Sequence, residues 1–128
     1  MYIVIFTAST KEYADPILND IDPNNCISHR LYRHHTHSVN DINSSISYIK
    51  DLSKINRNLE KSVIVDNLQE NFIKQQSNGI KVRDWYDDYS DSVLRKLSVL
   101  LIQIAKMRPK NITHELKLYR SYIKQHIQ

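Results

Sequence analysis

The feature that most constrains the fold is an unbroken apolar run at residues 2–6, which is β-branched in its middle. A continuous apolar run is typical of a strand in a parallel sheet that is covered on both faces. The run ends in small residues, Thr7, Ala8 and Ser9. In open α/β sheets, ligands bind just beyond the carboxyl ends of such strands, where hydroxyl groups and helix N-termini can donate to phosphate oxygens. A buried strand followed by an ordinary helix cap is the alternative interpretation of this stretch.

Length and charge restrict the class of protein further. A chain of 128 residues builds one core, and no apolar run is long enough for a transmembrane helix. No secretory signal is predicted at the N-terminus, and the single cysteine, Cys26, excludes an internal disulfide and fits a reducing compartment. The formal net charge is +4, but Lys and Arg are scattered along the sequence, so direct nucleic-acid binding is not predicted.

The remaining pattern predicts an α/β chain with a helical C-terminal end. Residues 34–45 are polar throughout and are predicted to be a loop. Strands are predicted at residues 27–33, 46–49, 62–65 and 80–82, helical turns at 51–55 and 71–77, and helices at 91–106, capped by Ser90, and at 112–127.

The first helix has two possible starts, which the sequence leaves open. Ser9 and Glu12 have the spacing of a capping box, whereas Asp15 and Pro16 form an N-cap followed by a proline at the first helical position. In both cases one face is expected to be apolar, at Tyr13, Ala14, Ile17, Leu18 and Ile21.

Polar side chains follow a second buried strand as well. Asp66 and Asn67 come directly after the apolar residues 63–65, and Lys50 lies sixteen residues before Asp66. Oxygen ligands for Mg²⁺, a lysine that offsets phosphate charge and a hydroxyl that binds a phosphate oxygen are the groups that phosphoryl transfer requires.

In their order and spacing, these stretches resemble the NLI-interacting-factor-like phosphatases, a subgroup of the haloacid-dehalogenase-like superfamily related to polymerase C-terminal-domain phosphatases. Residues 6–9 with 13–16 resemble the second motif of the family, residues 48–53 its lysine motif, and residues 63–67 its metal motif. Residues 85–94 resemble the segment after the last strand. The resemblance covers residues 1–106, whereas residues 107–128 are predicted to be a C-terminal helical extension.

The resemblance implies a Rossmann-like domain with a mostly parallel sheet and Mg²⁺-dependent dephosphorylation of phosphoserine or phosphothreonine in proteins. Lys50 and Asp66 would take part in catalysis, and Asn67 with Asp66 would form the metal site. The phosphate-binding residues that it implies are Thr7, Ala8, Ser9, Arg33 and Lys50.

One motif of the family is missing from the chain. The nucleophile motif, Asp-x-Asp-x-Thr after an apolar strand, does not occur, since Asp20 and Asp22, like Asp88 and Asp91, follow no such strand. The absent strand would lie between residues 2–6 and 62–65. We therefore expect the chain to be inactive alone and to be the C-terminal part of a longer phosphatase, with Met1 an internal start. A short protein whose sheet is completed by another chain or segment is the second possibility.

A non-catalytic protein-binding module with the same fold, as in the mitochondrial-import relatives of the family, is the alternative function. The phosphatase interpretation favours an intracellular, nuclear or cytoplasmic location over a mitochondrial one. A zinc site at His34, His35 and His37 with Cys26 and His29 is a further alternative, although its spacing fits no common structural zinc site.

Overall fold

The computed structural model describes residues 2–40 and 45–128. The chain divides into two compact units, one that ends at Asp51 and one that begins at Leu52. Within the described residues, no helix is long and apolar enough to cross a membrane. The elements, in chain order, are β1 (Ile3–Phe6), α1 (Lys11–Ile21), β2 (Ile27–Leu31), β3 (His37–Asn40), β4 (Ile46–Ile49), β5 (Ile64–Asp66), β6 (Gly79–Lys81), α2 (Val93–Met107) and α3 (Ile112–His126).

The first unit contains a parallel pair, β1 and β2, connected through α1. Phe6 lies opposite Leu31, so the residues that follow both strands meet at one end of the pair. This confirms the strands predicted at residues 2–6 and 27–33. The small core of the unit consists of Ala14, Leu18 and Tyr32, with Ile5 and Ile27 packed against it.

The start of α1 differs from both predicted starts. Thr10 is the N-cap, its backbone is extended, and its side chain makes no capping hydrogen bond. The helix therefore begins one residue after the position that a Ser9 cap would require, and Pro16 lies inside it.

The buried face of α1 is narrower than predicted. Ala14 and Leu18 are buried, but Tyr13, Ile17 and Ile21 are 68%, 49% and 66% exposed. The helix rests on only two strands, and a two-stranded surface covers less of a helix than a wide sheet does.

The loop predicted at residues 34–45 is wrong at residues 37–40, which form β3. A 3-10 turn, Arg33–His35, leads into β3, which pairs antiparallel with β4 so that His37 lies opposite Ile49. All four side chains of β3 are exposed, so the strand has no apolar alternation by which the sequence would reveal it. Residues 41–44 of the predicted loop lie outside the described residues.

The second unit begins with 3-10 segments around another parallel pair, β5 and β6, in which Ile64 lies opposite Gly79. The helical turn predicted at residues 51–55 is present as the 3-10 segment Leu52–Ile55. The turn predicted at residues 71–77 falls within Gln69–Asn78, where short 3-10 turns are interrupted by non-helical backbone at Phe72 and Gln75. A small core forms beside the strands from Leu52, Ile64 and Phe72, with Ile55 and Leu59 packed against it.

The two long helices of this unit build its larger core. The helix predicted from residue 91 begins at Val93, after Ser92 rather than Ser90, because the Asp91 side chain accepts from the Val93 backbone N–H at 2.7 Å. The helix predicted at residues 112–127 is observed as α3. The buried residues of this core are Ile80, Val93, Leu97, Leu100, Ile104, Ile112, Leu116, Ile123 and Ile127.

The strands within the described residues form three two-stranded sheets, two parallel and one antiparallel, and together with the helices they confirm the predicted α/β class. Among the described strands, β1 pairs only with β2 and β5 pairs only with β6. An edge of β1 and an edge of β5 are therefore left without a neighbouring strand within the described residues. The Rossmann-like arrangement of one continuous sheet stays a prediction.

Candidate functional site

The turn between β1 and α1 is the part of the predicted phosphate site with the most defined geometry. The Thr7 backbone N–H donates to the Leu31 carbonyl oxygen at 2.9 Å, which fixes the turn to the end of β2. The Ser9 backbone N–H donates to Thr7 Oγ1 at 3.0 Å. A hydroxyl that accepts in this way still carries its own O–H donor. Thr7, Ala8 and Ser9 are all partly exposed, so a ligand can reach the turn.

Arg33 lies against the same turn. Its Nε donates to the Ala8 carbonyl oxygen at 2.6 Å, and its backbone N–H donates to the Ser9 carbonyl oxygen at 2.9 Å. Its guanidinium also lies 5.0 Å from the centre of the Tyr48 ring, within cation–π range. The structure thus brings together Thr7, Ala8, Ser9 and Arg33.

A polar network behind the turn ties α1 to β2. Asp15 accepts hydrogen bonds from Lys11 at 2.6 Å, from the Tyr32 hydroxyl at 2.5 Å and from Arg30 at 3.1 Å. These contacts, with the Lys11 hydrogen bond the largest, lower the pKa of Asp15 to about 2. From the sequence, Asp15 was only a possible helix N-cap, whereas in the structure it lies inside α1. Its contacts with Arg30 on β2 and with Tyr32 just after β2 span fifteen and seventeen residues, so the sequence pattern does not reveal them.

Lys50 follows β4 at the end of the first unit. It is 9% exposed and its neighbour Asp51 is 6% exposed. A lysine this buried is not the solvated surface residue that an isolated lysine in a sequence usually is.

The metal motif contains β5 of the second unit, with Asp66 as the last residue of the strand and Asn67 directly after it. Asp66 is buried, and its Oδ1 accepts from the Leu68 backbone N–H at 2.9 Å and from Asn71 Nδ2 at 3.0 Å. Asn67 is exposed, and its Nδ2 donates to Asp84 Oδ1 at 2.7 Å. Asp84 was not predicted from the sequence as a site residue, because its place beside Asn67 depends on the pairing of β5 with β6.

The oxygen atoms at this strand end suit a hard cation. An amide that donates through its nitrogen keeps its carbonyl oxygen for other partners, and the Asp84 carboxylate lies beside it. Mg²⁺ binds through one or two carboxylates and keeps several waters, so Asn67 and Asp84 fit it better than they fit a thiolate- or imidazole-binding metal.

The acidic and aromatic residues after β6 form a self-contained turn. Arg83 pairs with Asp91 at 2.7 Å and with Asp88 at 3.4 Å, and Trp85 Nε1 donates to the Asp88 carbonyl oxygen. Asp88 and Asp91 thus have structural partners, in agreement with their rejection as nucleophiles.

The alternative zinc site finds no support. The rings of His34 and His35 lie against each other with centres 3.9 Å apart and planes tilted by 41°. His35 Nδ1 accepts from the Tyr32 backbone N–H at 2.9 Å. Within residues 2–40 and 45–128, no group of three or more His, Cys, Asp or Glu side chains is placed to hold a metal ion.

Residues 1–113 match the family model described as NLI interacting factor-like phosphatase. The chain belongs to this family. It is 40% identical over 121 residues to CTD small phosphatase-like protein 2 of Dictyostelium discoideum, an alignment that covers 92% of this chain and 20% of that protein. It is also 38% identical over 105 residues to a probable C-terminal domain small phosphatase of the same organism, covering 82% of this chain and 33% of the relative.

A protein whose name gives it a different role is also similar to this chain. The mouse mitochondrial import inner membrane translocase subunit TIM50 is 35% identical over 117 residues, which cover 91% of this chain and 32% of that subunit. The chain thus spans between a fifth and a third of the length of these relatives. The resemblance that the motifs indicate is confirmed, and it includes relatives of both functional classes considered above.

Proposed function

We propose that this chain supplies the phosphate-binding and metal-binding residues of a protein serine/threonine phosphatase. The observation that supports the proposal most is the contact of Arg33 with the turn after β1, through the carbonyl oxygens of Ala8 and Ser9. With Nε used on the turn, the Arg33 guanidinium has its two Nη groups to donate to a phosphate. Thr7 adds a hydroxyl donor, and the N-terminus of α1 adds backbone N–H groups and the positive end of the helix dipole.

Lys50 and the metal motif complete the proposed set. The buried ammonium of Lys50 would offset phosphate charge where little water screens it. Asn67, with Asp84 beside it, would hold Mg²⁺, whose contribution when bound is to neutralise charge on the phosphoryl oxygens. Asp66, held by two N–H donors, would orient the groups around the metal. The substrate class is a phosphoserine or phosphothreonine in a protein.

The chain would be inactive alone, for two reasons. The sequence contains no Asp-x-Asp-x-Thr, the motif whose first aspartate would accept the phosphoryl group. In addition, β1 and β5 each have an edge without a neighbour among the described strands, and a further strand would bind at these edges. A segment or a second chain that carries the missing motif would provide both. A nuclear or cytoplasmic location goes with this function.

A non-catalytic protein-binding module is the second candidate, which the similarity to mouse TIM50 favours. In that case the turn after β1 would bind no phosphate, and a mitochondrial location would follow. The two candidates therefore differ in whether the turn after β1 binds phosphate, and this can be tested directly with the 128-residue chain.

Phosphate titration followed by ¹⁵N NMR tests the proposal. At millimolar inorganic phosphate, the backbone amide resonances of Thr7, Ala8 and Ser9 should shift with saturation. The shifts should disappear in Arg33→Ala and persist in Arg95→Ala, which removes an exposed arginine of α2. Shifts that are absent in the folded wild-type chain, or equal in Arg33→Ala, would contradict the proposed phosphate site and favour the binding module.

A further inference from the structure

The second unit carries a cleft between β6 and α3 that has no part in the proposed phosphatase site. Its volume is about 250 Å³. Its floor is apolar and consists of Ile80, Leu116 and Ile123, which are 5%, 1% and 4% exposed. Pockets that enclose a cofactor or drug-sized ligand have volumes of about 300–1,000 Å³. The cleft is smaller than that and has room for one or two side chains.

The rim of the cleft is basic. Lys81, Arg120 and Lys124 line it and are exposed, and none of its lining residues is acidic. Arg120 and Lys124 belong to a row on α3 that begins with Lys117, since residues spaced by three and four lie on one helix face. Arg120 is also oriented, because its Nη2 donates to the Gln76 carbonyl oxygen at 3.0 Å. An apolar floor with a basic rim is complementary to an acidic ligand that has one aliphatic group.

Other classes of ligand fit this cleft less well. Addition of a strand to β6 is disfavoured, because the Gln128 side chain already donates to the Lys81 carbonyl oxygen. No aromatic ring is among the lining residues, so unpaired bases have nothing to stack on. A bilayer surface is broad and would meet the rim but not the floor of a concave cleft.

We propose that this cleft, the basic groove, binds a short acidic peptide segment of a partner protein. Carboxylates of the segment would pair with Lys81, Arg120 and Lys124, and one aliphatic side chain between them would enter the cleft over Leu116. This interaction involves neither the turn after β1 nor the metal motif, so it does not depend on the phosphatase function.

Binding of a fluorescein-labelled peptide to the 128-residue chain, followed by fluorescence anisotropy at low salt, tests the proposal. The peptide has Asp and Glu residues on both sides of a single leucine. The variant Lys124→Glu reverses one charge of the groove, and Lys106→Glu is the matched control. Lys106 and Lys124 are both exposed residues in the last turn of a 15-residue helix, and Lys106 does not line the groove. Far-UV circular dichroism checks that both variants are folded, and Lys124→Gln serves if Lys124→Glu is not.

The wild-type chain should bind the peptide, Lys124→Glu should raise Kd at least tenfold, and Lys106→Glu should change it less than twofold. Replacing the leucine of the peptide by asparagine should also weaken binding at least tenfold. No binding by the folded wild-type chain, equal effects of the two lysine variants, or no effect of the leucine replacement would overturn the proposal. Tighter binding of duplex DNA or of phosphatidylserine vesicles with the same sensitivity to Lys124→Glu would overturn the assignment of a peptide.

Discussion

The single glycine of the chain, Gly79, makes a sharp test of how the second unit is packed. Its backbone φ of −94° is open to any residue, so conformational freedom is not what requires glycine here. Space is the reason: a Cβ on residue 79 would overlap the Phe72 ring, whose Cδ2 and Cε2 atoms already occupy that place. Even the third nearest ring atom, Cζ, would be 2.9 Å away, where ordinary carbon contacts are about 3.5–4.0 Å.

The substitution Gly79→Ala should therefore force the Phe72 ring to move within a core where it is only 2% exposed. Overpacking of this kind costs about 1–3 kcal/mol. The alanine recovers about 0.4–1 kcal/mol of this by restricting the unfolded chain. The middle of each range, about 2 kcal/mol lost and about 0.7 kcal/mol recovered, gives an expected net loss of about 1.3 kcal/mol in the free energy of unfolding.

A double-mutant cycle with Phe72→Leu separates the overlap from other effects. Leucine lacks the Cε2 and Cζ atoms that the new Cβ would meet, and it can turn its Cδ atoms away, so Gly79→Ala should cost clearly less in the Phe72→Leu background than in the wild type. Urea unfolding followed by Trp85 fluorescence gives the four free energies, because the single tryptophan lies in the second unit. A loss below about 0.5 kcal/mol for Gly79→Ala, or strict additivity with Phe72→Leu, would refute the packing described here.

Two further predictions concern stability. Leu97→Ala removes a side chain that is 1% exposed and should lower the free energy of unfolding in urea by about 2–5 kcal/mol. Leu94, on the same helix, is 65% exposed, and Leu94→Ala should lower it by under about 1 kcal/mol. Equal losses would contradict the orientation of α2. The hydrogen bonds to Asp15 from Lys11 and then from Tyr32 lower its pKa to about 2 from the ordinary 3.8, so its contribution to stability is complete above about pH 4 and is lost as the pH falls through about 2. The difference in stability between the wild type and Asp15→Asn, measured by circular dichroism of the first unit's unfolding, should shrink over that range, and a constant difference would contradict the network.

The strands β1 and β5 were predictable from sequence because their side chains carry the signal. They are less buried than predicted, since no residue of β1 is buried and Val65 on β5 is 36% exposed. Residues 2–6 and 63–65 are apolar without interruption, and both are strands in parallel pairs. The strand β3 was missed because all four residues of His37–Asn40 are exposed, and backbone hydrogen bonding leaves no trace in the pattern of apolar residues. The face of α1 was predicted too wide because periodicity shows which positions can be buried, not how much sheet there is to bury them.

For the candidate site too, the sequence shows what neighbouring residues share but not which distant residues the fold brings into contact. The turn of Thr7, Ala8 and Ser9 was recognisable from the sequence because its residues are consecutive. Arg33 was recognisable because it lies just after β2, the strand that pairs with β1. Asp84 could not be assigned to Asn67 from sequence, since their contact depends on the register of β5 and β6. The basic groove was missed for a related reason: Lys81 and α3 are far apart in a sequence whose cations look evenly scattered, and only the fold brings them together.

The central claim is that this chain carries part of a phosphatase site and needs an Asp-x-Asp-x-Thr segment to act. Mg²⁺-dependent hydrolysis of a phosphoserine peptide tests it most directly, with the 128-residue chain alone and fused behind an apolar strand and nucleophile motif from an active family member. We expect no hydrolysis by the chain alone, and hydrolysis by the fusion that Lys50→Ala or Asn67→Ala abolishes. Hydrolysis by the chain alone, or a folded fusion without activity, would contradict the account.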